Sequence, residues 1–284
     1  MNSPTSSAMD NGATGHVHGF YSQTAGKLPV HEPLNASLTA DVCVIGGGLA
    51  GLTTALELAR GGKSVILLEA ERIGWGASGR NGGFVSASFA RSIFAIEDKL
   101  GLDHARALYR LSTEGVGYVR NTIRSSGRDD IIQGQGWLKM IRHADLASLE
   151  MRRTACPRLW CHSDVSVEVE LASHVSSDRY HAGLLDMGPF HIHPLRYCGL
   201  VGELAAQAGV RIFEHSRAVA VSGERGIWQV QTDKGMVRGS NIVIATSAYG
   251  GPVSRINQSI RRSRPMWSVR ARRNSTKPSA SPAV

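Results

Sequence analysis

The sequence predicts an α/β fold whose framework is a parallel β-sheet. Two short apolar runs, at residues 41–45 and 64–68, are rich in β-branched side chains and indicate buried strands. Between them, apolar residues recur at helical spacing from Leu49 onward, and Gly61 and Gly62 end that helix. A strand, a helix and a second strand in this order are typical of a parallel sheet covered by helices.

The turn between the first strand and the helix carries a glycine pattern. Gly46, Gly48 and Gly51 form G-x-G-x-x-G, and Glu69 stands at the end of the second strand. The first glycine permits a tight turn, the second admits a pyrophosphate, and the third lets helix and strand pack closely. The helix N-terminus attracts a diphosphate, and the acid accepts hydrogen bonds from a ribose diol. This pattern predicts a Rossmann-like domain for FAD or NAD(P), and the fingerprint alone does not separate the two.

A second glycine-rich stretch, GWGASGRNGG at residues 74–83, follows Glu69 almost at once. Together with residues 41–73 it resembles the glycine/D-amino acid oxidase (DAO) family of FAD-dependent oxidoreductases, and within that family the γ-glutamylputrescine oxidoreductase branch. The resemblance implies FAD as the cofactor and a flavin-side loop consisting of Ala77, Ser78, Gly79, Arg80, Asn81, Gly82 and Gly83. It also implies that Val219 lies near the adenine and that Ala245 and Thr246 lie by the diphosphate.

The activity that the resemblance implies is oxidation of a C–N bond in an amine or amino acid, such as a γ-glutamylputrescine-like substrate. The substrate carbon next to nitrogen gives hydride to the flavin, and molecular oxygen accepts the electrons. The family pattern stops near residue 260, and RPMWSVRARRNSTKPSASPAV, from Arg264 on, has no strand or helix period. We therefore expect a C-terminally truncated chain. The alternative to an active enzyme is a truncated, catalytically inactive FAD-binding fragment.

Four regions are expected along the chain. Residues 1–37 are predicted to form an N-terminal tail or arm. Residues 38–90 and 191–250 together form a discontinuous FAD-binding domain with a β-meander. Residues 91–190 form a helical insertion that belongs to an incomplete α+β substrate domain, and residues 251–284 form a basic, disordered tail.

The same patterns predict the remaining elements. Helical spacing covers residues 92–124, with breaks at Gly101 and near Gly115. Pro194 suits the first turn of a later helix, and Gly209 suits its end. The other predicted elements are a strand at 131–141, a helix at 145–154, an irregular stretch at 156–180, a strand and a loop before Pro194, and strands at 210–213, 217–221, 227–231 and 239–246.

The net charge of +9 is concentrated late in the chain. None of the 23 acidic residues follows Asp233, whereas ten of the 32 lysines and arginines do. Because the preceding residues are close to neutral, the charge indicates a basic tail on an ordinary domain. We expect a small-molecule amine as substrate, no nucleic-acid partner and no membrane span. The sequence does not define the oligomeric state.

The cysteines favour a reducing compartment. Cys43, Cys156, Cys161 and Cys198 are scattered and suggest no disulfide framework. No second ligand pair stands at a suitable spacing from Cys156 and Cys161, so no metal site is predicted. The first 19 residues lack the basic and apolar regions of a signal peptide, and we expect a disordered polar tail and a cytoplasmic protein.

The sequence leaves the catalytic residues unassigned. His181, His191 and His193 flank the later block of elements, but a histidine beside a helix that starts with proline more often packs or caps. Arg80 is expected either to stabilise the negative charge of a reduced flavin or to form an ion pair with the diphosphate or at the surface.

Overall fold

A computed structural model describes residues 15–141, 167–168, 174–177, 179–180, 182–224 and 226–253. The α/β class predicted from the sequence is confirmed in these residues. The helices and strands described are, in chain order, α1 (Phe20–Thr24), β1 (Ser37–Ile45), α2 (Leu49–Arg60), β2 (Val65–Leu68), β3 (Phe84–Val85), α3 (Ile93–Leu100), α4 (Leu102–Ser125), β4 (Ile132–Ile141), β5 (Val167–Glu168), β6 (Ala182–Ile192), α5 (Pro194–Gln207), β7 (Arg211–Phe213), β8 (Ala218–Glu224), β9 (Ile227–Thr232) and β10 (Met236–Ile244).

The larger sheet has six strands in the order β7-β2-β1-β10-β9-β8. The strands β7, β2, β1 and β10 are parallel neighbours, whereas β8, β9 and β10 form an antiparallel meander. Val44 of β1 is paired with Leu67 of β2 on one side and with Val243 of β10 on the other. The last strand of the meander therefore also completes the parallel sheet.

Alternate residues of β1 enter two separate hydrophobic cores. Val42 and Val44 pack with the apolar stripes of α2 and α5, whereas Cys43 and Ile45 pack with the meander. Both faces of the strand are covered, which is why the run at its carboxyl end is continuously apolar. Gly202 of α5 allows its helix to pack closely, because a Cβ there would approach Ile73 Cδ1 to 2.8 Å.

The smaller sheet is antiparallel, with β6 between β3 and β4 and with β5 paired to β6. Its register shifts around Gly134 and Gly136, where the glycine at 136 has φ of 78°. On one face, Phe190 and Ile192 join the same core as α2 and α5, together with partly buried residues of α4. The two sheets therefore share one hydrophobic core.

Within residues 91–190, the structure differs from the sequence prediction at two places, and one predicted helix lies outside the described residues. The chain breaks at Gly101, with φ of 85°, as predicted, but α4 continues through Gly115 without a break. A helical glycine costs only about 1 kcal/mol, and packing of the apolar face of α4 outweighs that cost. The predicted helix at 145–154 lies outside the described residues, and β5 falls within the stretch predicted as irregular.

Residues 15–36, here called the N-terminal strap, pack along the domain. Residues 1–14 of the predicted polar tail lie outside the described residues, whereas His16 is buried. The strap is fixed by hydrogen bonds from His16 Nε2 to Ile73 O (2.9 Å), from Arg196 to Thr24 O (2.7 Å), from Arg72 to Pro29 O (2.8 Å) and from Leu34 N to Ser216 Oγ (2.8 Å).

Candidate functional site

A cavity of about 560 Å³ opens at the carboxyl ends of β1, β2 and β10. Open α/β sheets bind ligands at this edge. The residues that line it fall within 45–48, 68–71, 75–78, 217–219 and 245–252. Among them are eight of the residues predicted to contact the cofactor, namely Gly46, Gly48, Glu69, Ala77, Ser78, Val219, Ala245 and Thr246.

The three glycines of the first turn form a cradle that side chains would fill. Gly46 has φ of 114°, and a Cβ there would lie 2.6 Å from Ala245 O. A Cβ at Gly48 would lie 2.9 Å from Ser78 Oγ, at the cavity surface. Gly51 lies behind the cavity lining, where a Cβ would collide with Gly46 O. The cradle therefore has the shape that a dinucleotide-binding turn requires.

The N-terminus of α2 points its first amides at this cradle. The N-cap Gly48 has no side chain to cap the helix, and its first turn contains no acid that would neutralise the helix dipole. Ser78 Oγ accepts a hydrogen bond from Leu49 N at 3.0 Å. The partial positive charge of the helix end is therefore suited to an anion such as a diphosphate.

Glu69 lies where β2 reaches the cavity and is held by two backbone amides. Its Oε2 accepts from Gly47 N at 2.6 Å, and its Oε1 accepts from Glu71 N at 2.9 Å. Burial raises the pKa of the Glu69 carboxyl, and these amide hydrogen bonds oppose that effect. Each carboxylate oxygen keeps a further lone pair, so the group can also accept from a ribose hydroxyl.

The rest of the predicted flavin-side loop has other contacts in the described structure. Gly79 is buried and packs against Leu195, since a Cβ would lie 2.9 Å from Leu195 Cδ1. Asn81 stabilises its own turn, donating from Nδ2 to Ser78 O and accepting at Oδ1 from Gly83 N, each at 2.8 Å. Gly82 O is bonded to His191 Nε2 at 2.8 Å. These residues, with Arg80, lie beside the cavity lining.

Among the lining residues that were not predicted are two charged and two aromatic side chains, namely Glu71, Arg217, Trp75 and Tyr249. Arg217 donates to Glu71 Oε1 at 3.0 Å, and this ion pair links the end of β2 to the start of β8. Trp75 and Tyr249 line the cavity from two different segments and contact each other. Trp75 belongs to the glycine-rich stretch, so its position there was the available signal. Tyr249 follows the predicted Ala245 and Thr246 turn, but no local pattern distinguishes it.

The two described histidines of the later block have structural contacts. His191 packs edge-on against Phe84 and is bonded to the flavin-side loop. His193 is the N-cap of α5, where its Nδ1 accepts from Arg196 N at 3.2 Å. Burial and the neighbouring Arg196 lower the pKa of His193 to about 4. The predicted packing and capping contacts are therefore present, and His181 lies outside the described residues.

The fold and the cavity together define a dinucleotide-binding protein of the Rossmann-like class. The sequence profile of the DAO family, described as FAD dependent oxidoreductase, matches residues 41–280. The chain therefore belongs to the DAO family of FAD-dependent oxidoreductases. The predicted family and the predicted cofactor, FAD, are confirmed by this match.

Two curated relatives are similar over most of this chain. γ-Glutamylputrescine oxidoreductase of Escherichia coli (strain K12) is 36% identical over 244 residues, which are 84% of this chain and 56% of that protein. The probable oxidoreductase OrdL of Haemophilus influenzae is 34% identical over 236 residues, 82% of this chain and 55% of that protein. The chain thus spans just over half the length of these relatives.

Solved structures show the same fold at lower sequence identity. L-amino acid deaminase from Proteus myxofaciens superposes with a TM-score of 0.63 at 22% identity, covering 78% of this chain and 49% of that chain. Glycine oxidase from Geobacillus kaustophilus gives a TM-score of 0.56 at 20% identity, covering 75% of this chain and 56% of that chain. Both likenesses support the predicted α/β fold.

Proposed function

We propose that the cavity binds FAD and that the protein oxidises a C–N bond in an amine or amino acid, with molecular oxygen as the electron acceptor. The observation that carries the proposal is the glycine cradle, which lies against the N-terminus of α2, where the N-cap Gly48 has no side chain. Membership of the DAO family supports an oxidoreductase that uses FAD. A γ-glutamylputrescine-like substrate rests on the similarity to the Escherichia coli relative.

In this proposal, separate residues hold the diphosphate, the ribose and the adenine of FAD. The N-terminal amides of α2 and the Ser78 hydroxyl hold the diphosphate, which also lies against Ala245 and Thr246. Glu69 accepts hydrogen bonds from the ribose hydroxyls. Val219, which is 47% exposed at the edge strand β8, packs against the adenine.

The flavin-side loop would carry the ring end of the cofactor. When bound, FAD supplies the hydride acceptor for the carbon next to the substrate nitrogen. Residues 77–83 would orient it, with backbone groups that glycines leave accessible. Arg80 would place a positive charge beside the cavity, where charge accumulates on reduction. We assign no catalytic side chain.

The amine substrate, the oxygen acceptor and a cytoplasmic location are part of this proposal. Among the residues that the structure describes, no helix combines the length and the apolar composition of a membrane span. The absence of a nucleic-acid partner stays a prediction from the charge distribution.

The substitution Gly48→Val tests the cofactor site. A valine side chain would occupy the space between the helix N-terminus and Ser78, where the diphosphate is placed. We expect the purified wild-type protein to show flavin absorbance and this variant to lose it. Gly117→Val is the matched control, because open space surrounds this helical glycine. Equal flavin content in the wild type and the Gly48→Val variant would contradict the assignment.

Turnover is a separate measurement. Hydrogen peroxide release with γ-glutamylputrescine, other amines and amino acids identifies the substrate class, at rates on the order of 1 to 1000 per second for an ordinary enzyme. Flavin binding without peroxide release from any of these substrates would support the FAD-binding fragment and would contradict the proposed activity of this chain.

A further inference from the structure

Tyr249 brings together two segments of the cavity lining that are far apart in the sequence. It ends the short helix Ser247–Tyr249 that follows β10, and its ring packs edge-on against Trp75 at a centroid distance of 5.9 Å. Arg80 donates from its guanidinium to the Tyr249 hydroxyl at 2.6 Å. Trp75 and Tyr249 both line the cavity, so their contact links the glycine-rich stretch to the segment that follows β10.

The glycine-rich stretch leaves room for the tyrosine ring. Gly76 lies directly under it, since a Cβ there would come within 2.9 Å of Tyr249 Cε2. The φ of Gly76 is −76°, which any residue adopts, so close approach of the ring and not backbone conformation requires glycine here. Arg80 completes the contact, with its guanidinium 5.2 Å from the Trp75 ring centroid and its Nε bonded to Gly76 O at 3.2 Å.

Tyr249 is also free to leave this position. Its side chain is 47% exposed, so moving it opens no hole in the core. Ser247, with φ of 50°, and Gly250, with φ of 89°, hold left-handed conformations on either side of it. A non-glycine residue at such a φ stores strain, and the glycine permits the backbone to change direction there.

We propose that Tyr249, Trp75 and Arg80 form a gate across the cofactor cavity that controls the rates at which FAD enters and leaves. The inference rests on the assignment of this cavity to FAD. In the closed state the contact between Tyr249 and Trp75 covers the cavity. FAD therefore enters or leaves only after the tyrosine has moved. Loss of the gate therefore accelerates association as well as dissociation, whereas loss of a simple contact to bound FAD accelerates dissociation alone.

Stopped-flow fluorescence of FAD mixed with, or released from, the flavin-free protein measures both rate constants. We expect Tyr249→Ala to raise each of them by about tenfold or more, because it removes an aromatic contact and a hydrogen bond to a charged group. Tyr249→Phe keeps the ring and loses the bond to Arg80, so its increase is smaller. Leu111→Ala, at an exposed site on α4, is the control and leaves both rates unchanged.

The substitution Gly76→Ala opens the same gate by a change in the glycine-rich stretch and not in Tyr249 itself. Its methyl group displaces the Tyr249 ring, so we expect the same increase in both rates. In the double variant Gly76→Ala/Tyr249→Ala the alanine at 76 has no ring to displace, and its effect disappears. Far-UV circular dichroism confirms that each variant is folded. Unchanged rates in the folded variants, or faster dissociation alone, would overturn the gate, whereas failure of the wild type to bind FAD would overturn the proposed function itself.

Discussion

At the scale of single residues, Glu214 shows how much depends on one buried carboxylate. It follows β7 directly and is fully buried. Its Oε1 accepts from Ile73 N at 2.7 Å, its Oε2 accepts from His31 N at 3.1 Å, and Arg72 forms an ion pair with it at 2.8 Å. One side chain thereby fixes the N-terminal strap to the segment that leads from Glu69 into the glycine-rich loop.

Glu214→Ala is expected to destabilise the protein by about 3–5 kcal/mol, because it leaves the buried Arg72 charge and two amides without their acceptor. Urea unfolding followed by circular dichroism measures the change. Glu224→Ala is the matched control, since Glu224 is exposed on β8 and its removal changes the free energy of unfolding little. Equal unfolding midpoints for the two variants would refute this prediction.

Whether a residue could be predicted from the sequence depends on how far along the chain its partners lie. The positions of Gly46, Gly48 and Glu69 at the cavity were predictable because they depend on a strand, a turn and a helix that are contiguous in sequence. Glu214 was not, because its partner Ile73 is far away along the chain and a glutamate after a short strand resembles any surface charge. Tyr249 was missed for the same reason, because its contacts with Arg80 and Trp75 join segments that are far apart in the sequence.

At the scale of elements, the start of α5 depends on an unusual N-cap. The His193 ring is buried, its Nδ1 accepts from Arg196 N, and its Nε2 is bonded to Thr24 Oγ1 at 3.0 Å. Protonation of Nδ1 would place two donors face to face at the positive end of a helix dipole. Burial and the positive charge of Arg196 lower the pKa of His193 to about 4 from its ordinary value of 6.5, and the carboxyl of Asp130 opposes this shift only in part.

The sign of the resulting pH dependence follows from proton binding. Between pH 6.5 and pH 4 the unfolded chain binds the His193 proton and the folded chain does not, so stability falls as the pH falls through this range. His193→Asn keeps a good N-cap and removes the titration. We expect the wild type to lose roughly 2–3 kcal/mol more than this variant between pH 7 and pH 4, measured by urea unfolding. Parallel pH profiles would contradict the assignment.

Elements with strong periodic patterns were the ones that the sequence predicted well. The strands β1 and β2 and the helix α2 have continuous apolar runs or stripes, and Pro194 marks the start of α5. The glycine at 115 was a misleading signal, because tertiary packing of α4 overrides the local preference. The packed strap could not be predicted, since its contacts, such as the hydrogen bonds to Ser216 and Arg196, are made with residues far away in the sequence.

At the scale of the whole molecule, the two sheets share one of the two hydrophobic cores that cover β1. Phe190 of β6 is almost fully buried and belongs to the same cluster as Val44 of β1 and Leu52 of α2. On its other side the Arg120 guanidinium lies 4.3 Å from the ring centroid. The smaller sheet therefore has no separate core to support it among the described residues.

Phe190→Ala should destabilise both sheets together by about 3–5 kcal/mol, because it leaves a cavity where they meet. Circular dichroism measures the loss of secondary structure, and flavin fluorescence measures the release of the cofactor. We expect both signals to change in one transition with a lowered midpoint in the variant. Phe84→Ala, at a 67% exposed position on the outer face of the smaller sheet, is the control for loss of an aromatic side chain. Early loss of one signal would show that the sheets unfold independently.

The strand β1 is paired on one edge by β2, its neighbour in the sequence, and on the other by β10. On the ribosome, β2 emerges soon after β1, whereas β10 emerges only after the whole insertion and the first two strands of the meander have been made, roughly 10 to 30 seconds later at usual rates of translation. Throughout that interval the second edge of an apolar strand is unpaired and available to other chains. We therefore expect nascent chains that stall between β2 and β10 to aggregate more readily than the completed protein, because this edge stays exposed in them.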